Sequence, residues 1–283
     1  MPPDLQPWRT LAPNGIERAV IRVTSTSPDR GPRRKLASAL RGCMCAWRPA
    51  PVDVEVYGFK ARLHPRKNRA DRRALFYPTR WDATERRLLD ALIAPGFQFI
   101  DIGANTGLYS LFVAARAGPD AKIIAVEPQP EVKDWLAFNI AANGFTTIHC
   151  VDAAIAAGVG LATLTRPRHN RGTASITRPG RRNVQVATLG ILDLMNRFDI
   201  ERADAIKIDI EGAEQPAILA FFDACPETRL PRHIFMETVP HRWTIDSVDL
   251  ARRAGYTVRA RTHMNTVFEL SSRRSFSSGL TVE

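Results

Sequence analysis

Long apolar stretches are missing from this 283-residue chain, and no run of roughly 18 residues has the hydrophobicity of a membrane-crossing helix. Cysteine is scarce. Cys43, Cys45, Cys150 and Cys225 form no Cys-x-x-Cys pair and no zinc-type spacing, so neither a disulfide framework nor a metal site is expected. The opening MPPDLQPWRTLAPNG lacks a basic start followed by an apolar core. No secretory leader is therefore expected, and the expected location is cytoplasmic. Aromatics make up 8% of the chain, and the basic stretches RGPRRKL and HPRKNRADRR have few among them to stack on bases.

What is present is the composition of a globular protein, 45% hydrophobic and 24% charged. The formal charge of +11 is uneven: residues 1–96 hold 19 Lys/Arg against 9 Asp/Glu, and residues 97–283 hold 21 against 20. Such a basic third could attract phosphates, an anionic membrane surface or an acidic substrate, and it could equally be an arginine-rich solvated surface, the reading preferred here. Residues 1–50, rich in Pro, Arg and Ser, read as an extension with one short helix around Arg33–Arg41. Residues 51–283 read as the main domain.

Within that domain VDVEVYGFKARLH alternates as a β-hairpin does, with Gly58 at its turn. WDATERRLLDALIAPG reads as a helix capped by Thr84 or Asp82. FIDIGANTG is then a buried strand ending at Asp101 and a tight turn, followed by a helix carrying Leu108, Leu111, Phe112 and Ala115. Gly103 and Gly107 open backbone angles closed to other residues, and Asn105 tolerates a left-handed conformation. The strand-helix unit recurs through AKIIAVEP, TTIHCVDA, ADAIKIDIEGAE and RHIFMETVP, interrupted at residues 161–189 by short antiparallel strands. This alternation predicts an α/β fold with a mostly parallel, doubly wound sheet, an antiparallel edge and a β-hairpin insertion.

Asp101, Glu127, Asp152, Asp209 and Glu237 each fall at or near a strand's carboxyl end, the edge where such sheets bind ligands. Five acids on one edge suit a cationic or polyhydroxylated ligand. A dinucleotide site is disfavoured: G-x-G-x-x-G is replaced by Asp101-Ile-Gly103-Ala-Asn-Thr-Gly107, which would set an acid against a pyrophosphate.

FIDIGANTGLYS, AVEPQPEVKDWLAFNIAANG and IKIDIEGAE resemble, in order, the three principal motifs of FkbM-type methyltransferases within the class I methyltransferases that use S-adenosylmethionine. The resemblance spans about residues 76–270 and implies a Rossmann-like fold. It implies that Asp101, Gly103, Asn105 and Gly107 line the methionine and adenosine side of the cofactor and that Glu127 accepts both ribose hydroxyls. Asp152, or the backbone after it, would lie near the adenine amino group. S-adenosylhomocysteine is the implied product.

Lys207, Asp209 and Glu211 alternate along one side of their strand and are the catalytic candidates. Asp209 or Glu211 would be the base and Lys207 its orienting partner. Glu237 is a candidate for holding acceptor or cofactor. The insertion offers Arg168, His169, Asn170, Arg171 and Ser175 near the site mouth, with Asn170 and Ser175 as acceptor-binding candidates. Family members commonly carry an acid where Gly190 stands here, and Asp193 is a possible replacement. The expected acceptor is a hydroxyl of a sugar, glycolipid or natural product. An RNA target using the basic third and a non-catalytic module that binds the cofactor or a nucleotide are the alternatives, with nucleic acid less favoured because no Asp/Asn-Pro-Pro-aromatic motif is present.

Overall fold

The computed structural model describes residues 4, 6–27, 31–167, 170–180, 182–238 and 243–271. Its centre is a seven-stranded sheet of β3 (Gln98–Ile102), β4 (Lys122–Val126), β5 (Ile148–Val151), β9 (Ala205–Ile208), β10 (His233–Glu237), β11 (Tyr256–Arg261) and β12 (Asn265–Leu270) in the order β11-β12-β10-β9-β3-β4-β5. β3, β4, β5, β9 and β10 run parallel, and β12 pairs antiparallel with β10 and β11. A second sheet, β6 (Ala154–Ile155), β8 (Asn183–Leu189) and β7 (Gly160–Thr165), forms the insertion. The doubly wound sheet, its antiparallel edge and the inserted hairpin are those expected from the sequence.

Period-two alternation buries both faces of the central sheet. Phe99, Ile123, Ala205 and Phe235 enter one core cluster, while Ile100, Ile124, Ile206 and Ile234 enter the other. Around the sheet lie α5 (Leu108–Ala117), α6 (Pro130–Asn143), α7 (Ile191–Arg197), α8 (Glu214–Ala224) and α9 (Ser247–Arg253). Strand order reverses between β3 and β9, which opens a crevice at their carboxyl ends.

The chain before β3 is more ordered than its composition predicts. Instead of one short helix it forms two, α1 (Gly15–Ser25) and α2 (Pro32–Trp47), and α2 sends Met44 and Cys45 into the first core cluster. The hairpin β1 (Val52–Val56) and β2 (Phe59–Leu63) turns through Tyr57 and Gly58, both at positive φ. The buried Arg62 guanidinium grips Asp53 at 2.7 and 2.9 Å and donates to the Gln6 and Pro7 carbonyls, tying residues 6 and 7 to the hairpin. Helices α3 (Arg69–Phe76) and α4 (Ala83–Leu92) complete this layer. Asp82 precedes α4 but makes no side-chain cap; its carboxylate accepts from the Tyr109 hydroxyl at 3.1 Å.

Candidate active site

The turn after β3 is held from beneath by the end of β4. Gly103 and Ala104 donate to the Val126 carbonyl, and the Asn105 N–H donates to Glu127 Oε2 at 3.0 Å. The other carboxylate oxygen, Oε1, accepts from the Gln129 N–H at 2.9 Å. Gly103, at φ +79°, is required by close approach, since a Cβ there would lie 2.0 Å from the Asp209 carbonyl oxygen. Asn105 takes the left-handed conformation at φ 55°.

Glu127 is buried, and burial raises its carboxyl from the ordinary 4.5 to about 7; the two N–H donors oppose the rise, and the Asp101 and Asp209 charges add to it. Asp101 lies deeper. Its Oδ2 accepts from Ser110 N at 3.1 Å and Oγ at 2.7 Å, but Oδ1 has no hydrogen-bond partner among the described residues. Burial pushes this carboxyl up, against the pull of Lys207 and the Ser110 donors. Lys207 is the register partner of Asp101 on the adjacent strand. Burial alone would lower its pKa, yet Asp209, Asp101 and Asp82 together hold it above the ordinary value, so it remains a cation. Its Nζ donates to Asp209 Oδ2 at 3.3 Å and sits 4.9 Å from the centre of the Tyr109 ring.

Two hollows meet over these groups. The first, about 600 Å³, is lined chiefly by small aliphatic side chains, Ile102, Val126, Ala153, Ile155 and Ile176 among them, with Glu127 as its buried acid. The second, about 1090 Å³, is charged: Asp101, Lys207, Asp209, Glu237, Arg69 and Arg178 line it, with Asn170 and Tyr109. Gly103, Asn105, Asp209 and Glu211 wall both.

Asp101, Gly103, Asn105, Glu127, Lys207, Asp209, Glu211, Asn170 and Glu237 thus converge on one cleft. Three candidates do not line it. Asp152 directly follows β5, but its carboxylate is more than half exposed and pairs with Lys133 of α6, so Ala153 presents the wall instead. Gly107 lines neither hollow; at φ +90° it starts α5 against Leu136, whose Cδ1 would be 2.5 Å from a Cβ there. Ser175 is buried beside the cleft and donates to the Glu211 carbonyl at 2.9 Å, so it fixes that turn rather than facing the cavity. Arg168 and His169 lie outside the described residues. Asp193 folds back on Gly190 N at 3.0 Å and caps α7, away from the cleft.

The three-residue alternation of Lys207, Asp209 and Glu211 breaks at its end. β9 stops at Ile208, Glu211 adopts φ 56°, and its carboxylate pairs with Arg178 at 2.7 Å. Glu214, the first residue of α8, receives the Ile210 and Gly212 N–H groups at 2.9 and 2.8 Å and so shapes this turn. Carboxylate oxygens of Asp209, Glu214 and Glu237 lie within 4.8 Å of one another, but Glu214 is committed to that turn. Sequence reasoning also missed Arg178, Tyr109 and Asp82. Only the place of Tyr109 in the first turn of α5, directly after the Gly103–Gly107 turn, offered a signal for any of them.

Residues 101–277 match the family described as "Methyltransferase FkbM domain". A curated relative, methyltransferase sdnD of Sordaria araneosa, is 27% identical over 147 residues, a match covering 41% of this chain and 56% of that protein's length. Solved structures with some likeness include precorrin-6y C5,15-methyltransferase from Geobacter metallireducens GS-15, at 15% identity and TM-score 0.42 over 66% of this chain and 87% of that one. Another is Aeropyrum pernix fibrillarin with natively bound S-adenosyl-L-methionine, at 13% identity and TM-score 0.38 over 66% and 73% of the two chains.

Proposed function

The chain belongs to the FkbM methyltransferase family, and from that premise we propose that it methylates a hydroxyl of a sugar, glycolipid or natural product, holding S-adenosylmethionine chiefly in the aliphatic hollow and its acceptor in the charged one. The observation that carries the reading is the junction of the two hollows at Gly103, Asn105 and Asp209, where a donor and an acceptor can meet. The family match begins at residue 101, so assigning residues 51–100 to the same domain, with residues 1–50 as an extension, is part of the proposal.

The donor set suits this cofactor. Asp101 Oδ1 is a buried acceptor that its neighbours leave unused, which matches an amino group. Each Glu127 oxygen takes one backbone N–H and keeps a further acceptor site, so the carboxylate can also receive two ribose hydroxyls. The aliphatic wall at Ala153 and Ile155 suits a purine, in place of the Asp152 side chain. When bound, S-adenosylmethionine supplies an electrophilic methyl group on a sulfonium and leaves as S-adenosylhomocysteine.

Asp209 is assigned the proton of the acceptor hydroxyl. Lys207 Nζ fixes Oδ2 of that carboxylate, leaving Oδ1 to take the proton, while Glu211 is engaged by Arg178 and holds the turn. Asn170 and Glu237 line the acceptor's side. Residues 170–173 pack over the Asn105 turn closely enough that a Cβ on Gly172 would meet Asn105 Nδ2 at 2.7 Å, which helps keep water from the junction.

Methyl-labelled cofactor incubated with a panel of sugars, glycolipids and natural-product alcohols tests the reading. The expected product is a base-stable methyl ether whose formation falls roughly 10²–10⁴-fold in Asp209→Asn while cofactor binding is kept. Label released by mild base, as from a methyl ester, would contradict hydroxyl transfer.

A further inference from the structure

Helices α1 and α2 line neither hollow of the cleft, yet their surface is unusual. Nine large apolar side chains are exposed among the described residues, and four of them, Ile16, Val23, Leu36 and Trp47, lie on α1 and α2 at 51–69% exposure. They extend into stripes: Ile16, Ala19 and Val23 recur at i, i+3 and i+7 on the outer face of α1, and Leu36, Ala39 and Cys43 repeat that spacing on α2. All of these residues are exposed, so neither stripe packs against the sheet.

The exposed charges of the two helices have one sign. Arg18, Arg22, Arg33, Arg34 and Lys35 are exposed, and none forms an ion pair with a described acid. Glu17, the one acid in the two helices, is buried and paired with Arg48. Arg33, Arg34 and Lys35 occupy the first turn of α2, with no acid there, where the helix dipole disfavours cations. Helix stability does not explain that placement. A break of a local rule with no local gain points to a partner.

We propose that the outer face of the α1–α2 pair docks on an anionic lipid bilayer, with its aliphatic side chains at the headgroup boundary and its cations over lipid phosphates. This joins the two features of an interfacial amphipathic helix, an apolar stripe and a basic polar face. Trp47, at the end of α2, has the amphipathic ring that favours that boundary. Nucleic acid fits less well, because aliphatic side chains offer bases no ring to stack on and Trp47 is the one exposed aromatic of the two helices. α1 also packs on α3, whose Arg69, Ala70 and Arg73 line the charged hollow.

Docking stands independently of the methyl-transfer reading and is tested on the full chain by co-sedimentation with phosphatidylcholine vesicles, with and without phosphatidylglycerol. Sedimentation with the phosphatidylglycerol vesicles alone, reversed by high salt, is expected. The double variant Arg33→Gln/Arg34→Gln should weaken it roughly 25-fold, about fivefold per charge, and Val23→Ser/Leu36→Ser on the order of tenfold or more. These side chains are exposed, so unchanged circular dichroism and cofactor titration in the variants will show that fold and cleft are intact. Wild-type protein left in the supernatant, sedimentation indifferent to both variants, or binding to a random-sequence RNA with none to vesicles would each overturn the proposal. Failure of cofactor binding with docking intact would instead count against the proposed activity alone.

Discussion

β4 and β5 are neighbouring parallel strands, and each is followed directly by an acid, yet the two acids have opposite fates. Glu127 turns into the cleft, accepts two backbone N–H groups and is raised by burial to about 7. Asp152 turns out to solvent and pairs with Lys133. The difference lies in what stands beside each strand. β4 is flanked by β3, whose turn donates the Asn105 N–H, whereas β5 is the sheet's edge, with water and α6 beside it. Of these two acids, the one that joins the site is the one over which the neighbouring strand's turn closes.

If the β3–β4–β9 corner is packed and the region beyond the β5 edge is loose, an added methyl should separate them most strongly. Gly103→Ala forces a Cβ into the Asp209 carbonyl and a non-glycine residue to positive φ, and should cost at least about 3 kcal/mol by denaturant unfolding. Gly158→Ala, with no atom within 4 Å of its Cβ, should change stability little. Equal costs would break the contrast. Next in size, Lys207→Met leaves Asp101 and Asp209 without their shared cation. It should cost about 2–3 kcal/mol, less than the roughly 3–5 of a fully buried pair because Asp209 remains partly exposed.

The sequence made much of this corner legible, because Gly103 and Asn105 are residue types that permit its turn and period-two alternation placed Asp101 and Lys207 on strands. It left illegible whatever depends on partners far along the chain. Ser175 finds the Glu211 carbonyl 36 residues away, and Arg178 finds the Glu211 carboxylate from the insertion. Local pattern also could not show which way Asp152 turns, since that follows from β5 being an edge. The N-terminal helices were half visible: charge and proline suggested an extension, while Met44 and Cys45 reach the core through packing that no local periodicity announces.

A smaller effect is expected from pH. Native Glu127 keeps its proton between about 4.5 and 7, where the unfolded carboxyl has lost it. Its contribution to the stability of the ligand-free protein is therefore fully present below the unfolded value and lost as pH rises through about 7. Affinity for S-adenosylhomocysteine should move the opposite way, rising up to tenfold per pH unit and levelling off above about 7, as the carboxylate proposed to receive the ribose hydroxyls ionises. Glu127→Gln should flatten that rise, and Asp152→Asn should leave it in place.

The central claim, that the cleft is a cofactor site read at Glu127 and not at Asp152, is tested most directly by calorimetric titration of S-adenosylhomocysteine into wild type, Glu127→Gln and Asp152→Asn at a pH above 7. The account predicts binding by wild type and Asp152→Asn within about twofold of each other, and a loss of roughly a hundredfold in Glu127→Gln, from two charge-assisted hydrogen bonds weakened together. No binding by folded wild type, or an equal loss in both variants, would contradict it.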